Sequence, residues 1–273
     1  MPQLDQTTKE ALQARLRFYR ELGLTDFYRR TVTGPSAAEA AEGVQSPLRA
    51  VGTEHQAQSE FEENTAIPPR KSISAPPPVS AVVEEDRVSA LQLIQEEIGD
   101  CTRCALHKGR NKIVFGDGDA NARLMFVGEG PGADEDAQGL PFVGRAGQLL
   151  NNMIGAMGLT REQVYIANVV KCRPPQNRTP EPDEANTCSP FLFQQIDAIC
   201  PEVIVALGAT AATYLLGQRQ PLAGLRGRVH SFRGAKLIVT YHPAFLLRDP
   251  RQKKEAWADL QIAMRELGLK LPT

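Results

Sequence analysis

Four of the five cysteines stand where a metal centre could use them. Cys101 and Cys104 form a C-x2-C pair, and Cys172 and Cys188 follow far along the chain. A tight turn brings both sulfurs of such a pair to one side, within reach of one centre. The remaining ligands must then come from distant positions. Four thiolates suit either zinc or an iron–sulfur cluster, and spacing alone does not choose between them. His107, three residues after Cys104, is a rival ligand. Cys200, at the end of an apolar helix just before Pro201, reads as a buried small hydrophobe.

A second cluster of chemistry lies in GEGPGADEDAQGLPFV, residues 128–143. A glycine-rich loop after an apolar strand suggests a phosphate cradle, but this one lacks the lysine and hydroxyl of a P-loop. Its third glycine is also displaced from the dinucleotide fingerprint. The acidic side chains Glu129, Asp134, Glu135 and Asp136 would repel phosphate. Such a loop instead lets backbone N–H groups approach a planar ring. Phe142 offers either a stacking face or ordinary core packing. Asn168 interrupts the apolar run YIANVV, where a buried amide needs partners. Its adjacent donor and acceptor match the edge of a pyrimidine; a structural bond to a neighbouring loop is the alternative. His242, before Pro243 at a strand end, is a catalytic candidate or a satisfied structural histidine.

The elements that must hold these residues alternate. Apolar, β-branched runs at 123–127, 164–170, 202–208 and 236–242 read as buried strands. Helical spacing covers 145–157, and helical segments fall near 182–199, 209–216 and 250–267. Leu91, Ile94 and Ile98 suit a short helix leading into Cys101. This order predicts an α/β fold, a three-layer α/β/α arrangement with a mostly parallel four-stranded central sheet. Ligands bind such sheets beyond the carboxyl ends of the strands, and the glycine loop, Asn168 and His242 all sit at such ends.

Upstream the composition changes. Residues 1–33 carry helical spacing (Leu4, Leu12, Leu16, Tyr19, Leu22) and read as an amphipathic helical segment, either a capping helix or a docking helix for a protein partner. Residues 34–86 are rich in Ala, Glu, Ser, Gln and Pro and read as a disordered linker. The domain is expected over 87–273. The formal net charge is −1, yet the linker holds nine acidic and three basic residues, while 87–273 holds 22 basic and 19 acidic. The body is therefore mildly basic, in weak support of a polyanionic partner. No run of 18 apolar residues exists, and no basic start leads into an apolar signal core. A cytoplasmic protein without structural disulfides is the expectation.

Taken together, GEGPGADEDAQGLPFVGRAGQLL, NVVKCRPPQNRTP and YHPAFLLR resemble the family 4 uracil-DNA glycosylases, the iron–sulfur branch of that superfamily. The match covers roughly residues 90–268. It implies a [4Fe–4S] cluster on Cys101, Cys104, Cys172 and Cys188, structural rather than chemical in role. It also implies a uracil pocket of Gly128, Glu129, Gly130, Phe142, Asn168 and His242, in a monomer acting on uracil-containing DNA. Hydrolysis of the N-glycosidic bond would follow base flipping, with His242 donating to the uracil O2 and Glu129 or Glu135 meeting the sugar cation or water. The position that carries a water-activating aspartate in the best-known branch is Gly130 here. Asp134 and Asp136 read as solvated or as helix caps. Arg173, Arg178 and Arg248 are candidate phosphate contacts, and Phe245-Leu246-Leu247 a candidate wedge for the gap left by the base or a packed strand-to-loop segment. A covalent uracil-DNA trapping relative would carry an extra basic loop after PFVG. A non-catalytic iron–sulfur DNA-binding module would have no evident use for both Asn168 and His242.

Overall fold

The structure, a computed structural model, describes residues 84–271. The amphipathic segment at 1–33 and nearly all of the proposed linker lie outside the described residues. The last three residues of that linker instead begin a helix, α1 (Glu84–Ile98). Leu91, Ile94 and Ile98 are its buried face, as their spacing requires, and it packs along α4 (Pro182–Ile199).

The sheet has six strands rather than four. Its order is β1 (Asp117–Gly118), β3 (Tyr165–Asn168), β2 (Leu124–Gly128), β4 (Val203–Leu207), β6 (Ala235–Thr240) and β5 (Val229–Phe232). The four expected strands form the parallel centre. Every residue of β2, β3 and β4 is buried, the continuous apolar pattern of strands covered on both faces. The two added strands are antiparallel edges. β5 turns into β6 through Arg233 and Gly234, both at positive φ (49° and 87°), the backbone of a two-residue hairpin. β1 is possible because residue 118 is glycine: a Cβ there would lie 1.9 Å from the Val164 carbonyl oxygen.

Two apolar layers fill the space between sheet and helices. One joins α1 and α4 to one face of the sheet. The other packs α3 (Arg145–Ala156) and α8 (Lys253–Glu266) on the opposite face, around Leu150, Ile154, Leu260 and Met264. The α/β/α layering is thus as expected. Shorter helices are α2 (Ala133–Gln138), α5 (Ala209–Leu216), α6 (Leu222–Leu225) and α7 (Pro243–Arg248). α3 starts at Arg145, immediately after Pro141–Gly144, so no extra basic loop intervenes. Among the described residues no helix is long and apolar enough to cross a membrane.

The expectation for Cys200 fails. It is exposed, and it ends α4 in a left-handed conformation (φ 49°) with its thiol donating to the Asp197 carbonyl at 2.8 Å. A residue at a helix's left-handed terminus turns away from the apolar stripe, whatever its side chain.

Candidate active site and cysteine cavity

The carboxyl ends of the four parallel strands open into one cleft of about 580 Å³. β2 delivers the loop from Glu129 to Glu135, with Gly128 itself outside the lining; β3 delivers Asn168, β4 leads into Gly208 and Thr210, and β6 leads to His242. Gly128 and Asn168 are paired neighbours across β2 and β3. The proximity is tight enough to demand glycine. A Cβ on Gly128 would lie 2.4 Å from Asn168 Oδ1 and 2.6 Å from the tip of the Phe142 ring. Beyond the strand the chain keeps its pairing, with the Val170 N–H donating to the Glu129 carbonyl at 3.1 Å. At Gly130 a Cβ would meet Val170 Cγ2 at 2.7 Å.

Asn168 is 1% exposed, and its Oδ1 has no hydrogen-bond partner. A buried amide oxygen left unpaired costs about 1–3 kcal/mol, so the structural-bond alternative finds no bond at that atom. Phe142 is buried at the cleft wall, its ring 5.5 Å from that of His242. Its φ of 52° puts a bulky side chain in the left-handed region, a strain of about 1–3 kcal/mol that persists only where surroundings enforce it.

His242 caps α7: its Nδ1 accepts the Ala244 N–H at 3.1 Å. That bond leaves the ring proton on Nε2. Burial pushes the imidazole down to about 4, Arg248 adds to the depression, and Glu135 opposes it. The ring is therefore neutral near pH 7 and donates through Nε2. Gly208, at φ 92°, packs against it; a Cβ there would sit 3.2 Å from His242 Cβ.

The acidic residues separate by role. Glu129 faces the cleft and accepts a bond from the Thr210 hydroxyl. Glu135 lines the cleft too, but its oxygens are taken: Oε2 by the Gly132 N–H and Oε1 by the N–H groups of Val143 and Gly144, each at 3.0 Å. Asp136 is neither solvated nor a cap of the next helix. It is fully buried and accepts from the Asn111 backbone at 2.8 Å and side chain at 2.6 Å, fastening residues 111–112 to α2.

At the rim, Arg178 lines the cleft while paired to Glu184 at 2.7 Å. Arg173 lies outside the cleft lining and donates to Asn177 Oδ1 at 2.8 Å. Arg248 is an exposed residue of the lining. The run 245–247 is helical, in α7, which splits the wedge: Leu247 is 37% exposed, whereas Leu246 is 1% exposed and packs beside Leu149, Met153 and Trp257. Successive helical side chains point about 100° apart, and here Leu246 falls on the packed face, so it drops out as an exposed wedge. Gly208 and Thr210 went unrecognised in the sequence, although their place after the apolar run VIVAL marks a strand's carboxyl end.

Cys101, Cys104, Cys172 and Cys188 line one small apolar cavity with Ile98, Ile113 and Phe191. None forms a disulfide. Among the described residues no three Cys, His, Asp or Glu side chains converge closely enough to hold a single ion. His107 does not line the cavity; its Nδ1 lies 2.7 Å from the Cys104 carbonyl. Donors are aimed at three of the sulfurs: Arg103 at Cys101 (3.4 Å), Arg110 at Cys172 (3.5 Å) and the Lys171 backbone at Cys188 (3.3 Å). Burial, the largest cause, pushes the Cys172 thiol up to about 11 even though Arg110 pulls it down, and burial likewise raises Cys188. Sulfurs supplied with cationic and N–H donors fit thiolates bound to a metal centre. Lys171 ties this cavity to the cleft, its ammonium reaching the Asn168 carbonyl at 3.0 Å and Gln195 Oε1 at 2.6 Å.

Residues 115–261 match the family model "Uracil DNA glycosylase superfamily". The chain is 48% identical to a type-4 uracil-DNA glycosylase of Thermotoga maritima over 165 residues, 60% of this chain and 86% of that one. It is 41% identical to a type-4 uracil-DNA glycosylase of Archaeoglobus fulgidus, covering 68% of this chain and 98% of that one. A third, from Pyrobaculum aerophilum, is 46% identical over 63% of this chain and 92% of its own length.

Proposed function

Since the chain belongs to the uracil-DNA glycosylase superfamily and is a DNA-repair glycosylase that excises uracil, we propose that the cleft at the strand ends takes the flipped base and that its residues divide the work as follows. Asn168 reads the base: its unpaired Oδ1 accepts from uracil N3–H and its amide N–H donates to O4. Phe142 stacks on the ring. The observation that carries this reading is the buried, unpartnered oxygen of Asn168, a residue that lines the cleft together with Phe142 and His242. In the folded protein that atom stays unpaid until a planar donor enters.

Breaking the N1–C1′ bond leaves the electron pair on uracil and positive charge on the sugar. His242 is suited to the first charge, as a neutral donor from Nε2 to O2. Glu129 is suited to the second: its carboxylate faces the cleft, fixed by Thr210. Water then bonds to C1′, loses its proton, and uracil regains one. Glu135 is a poor second choice, because three N–H groups already occupy its oxygens. Flipping costs a few kcal/mol, least in single strands and at U·G mismatches. Arg178 and Arg248 at the rim suit phosphates, with Arg173 nearby, and Leu247 suits the vacated stack.

For the cysteine cavity the proposed occupant is a [4Fe–4S] cluster held by Cys101, Cys104, Cys172 and Cys188. Four thiolates around a cavity, with positive donors outside them, fit such a group. When bound it would serve as a cross-link among the end of α1, the segment after β3 and α4, the last of which carries Cys188. On this reading the enzyme works as a cytoplasmic monomer.

The test is incubation with a labelled single-stranded oligonucleotide bearing one uracil, then alkali. Strand scission at the uracil and free uracil are expected; a stable protein–DNA adduct, or no scission, overturns the reading. The purified protein should be brown with four iron atoms per chain, and Cys101→Ser should bleach it. A colourless protein containing zinc overturns the cluster.

A further inference from the structure

Arg161 lies outside the cleft lining, yet it holds the cleft's stacking residue. Its Nη2 donates to the Pro141 carbonyl at 2.6 Å, and its Nη1 to the Phe142 carbonyl at 3.3 Å and to Asn151 Oδ1 at 3.1 Å. The same guanidinium is anchored on Asp117 through Nε at 3.3 Å and Nη2 at 3.1 Å. Phe142 is thus held from both sides. Arg161 takes the carbonyls of 141 and 142, while Glu135 takes the N–H groups of 143 and 144. Below, Gly147 lets α3 touch the loop; a Cβ there would lie 1.9 Å from the Phe142 carbonyl oxygen.

This arrangement answers what keeps a bulky residue at φ 52°. A left-handed phenylalanine relaxes unless its flanking peptides are fixed; three hydrogen bonds fix those two peptides, and a fourth holds the next one, at the Gly144 N–H. The anchor is also well placed. Arg161 opens the short helical turn Arg161–Gln163 that feeds β3, and Asn168 ends β3. The turn that enters β3 therefore carries the clamp on the stacking ring, and the end of the same strand carries the amide proposed to read the base. We propose that Arg161 is a positioning residue for uracil excision, setting Phe142 against Asn168. The proposal rests on the reading that Phe142 stacks on uracil. Only the planar guanidinium fork reaches the two carbonyls, the Asn151 amide and the Asp117 carboxylate together; an ammonium is a point donor.

The experiment is a double-mutant cycle on the full chain with single-stranded uracil DNA, read as kcat/KM and as inhibition by free uracil. Arg161→Gln is expected to lower kcat/KM about tenfold to a hundredfold, the scale of an ångström of misplacement. It should weaken uracil inhibition by a similar factor. In a Phe142→Ala background the same change should cost less than about threefold, because the group it positions is gone. An equal loss in both backgrounds overturns the clamp, since a merely structural arginine gives additive losses. Full activity of Phe142→Ala alone would instead overturn the stacking reading, and the clamp with it. If Arg161→Gln does not fold, Arg161→Lys, which keeps the charge and loses the fork, replaces it in the same cycle with the same criterion.

Discussion

Asn168→Ala is expected to lower kcat/KM on uracil DNA about a thousandfold, from two lost bonds at about 2 kcal/mol each, while the melting temperature stays level or rises. The two halves of this expectation come from one observation. Asn168 Oδ1 is buried without a partner, so the free enzyme carries a desolvated acceptor that, on the proposed reading, the substrate satisfies. Removing it relieves a cost in the folded state and removes a benefit in the transition state, where negative charge spreads onto the base. An ordinary buried asparagine behaves in the opposite way: its loss breaks internal bonds and lowers stability. The small cavity left by alanine opposes the gain, so a level melting temperature is within the expectation. A fall of several degrees with excision preserved would make Asn168 a structural residue. Thermal melts and single-turnover excision on the same preparations decide it.

How much of this was legible depends on where each residue's constraint lies. The four central strands were readable because both faces are covered, which imposes the unbroken apolar runs of β2, β3 and β4. The edges were not. β1 is two residues long, and its existence depends on a backbone approach at Gly118 that no apolar pattern encodes. β5 exposes alternate residues, so no buried apolar run marks it. Cys101 and Cys104 announced themselves by spacing, but their meeting with Cys172 and Cys188 is a property of the packed fold. The resemblance, not the spacing, singled out that set.

The carboxylates mark the limit most clearly. Four acids in eight residues look alike in a sequence. In the structure the six-residue helix α2 turns Asp136 into the interior and Glu135 onto the backbone of the next loop, which leaves Glu129 alone with a hydroxyl partner in the cleft. Arg161 gave no signal, because what it clamps in the loop is main chain, and its side-chain partners Asp117 and Asn151 lie far from it in the sequence.

His242→Ala is expected to lower kcat about a hundredfold to a thousandfold, the usual cost of removing a donor to a developing anion, and to change the acid response in a defined direction. Folded His242 sits at about 4, chiefly through burial and the nearby Arg248, against an unfolded value of about 6.5. Between those two values the unfolded chain binds a proton that the folded chain refuses. The depressed group therefore contributes stability that is fully present above about 6.5 and is lost as pH falls toward 4. In His242→Ala the melting temperature should decline less steeply across that window. Activity follows a different rule. The Nε2 proton used in donation belongs to the neutral ring, because Nδ1 is engaged by the Ala244 N–H. Across pH 5–8 the donor is already in its working form, so His242 gives kcat no acid limb in that range. A limb near pH 6.5 that disappears in His242→Ala would mean that the ring titrates as an ordinary exposed imidazole. The neutral-donor mechanism would then fail, even with the rest of the pocket intact.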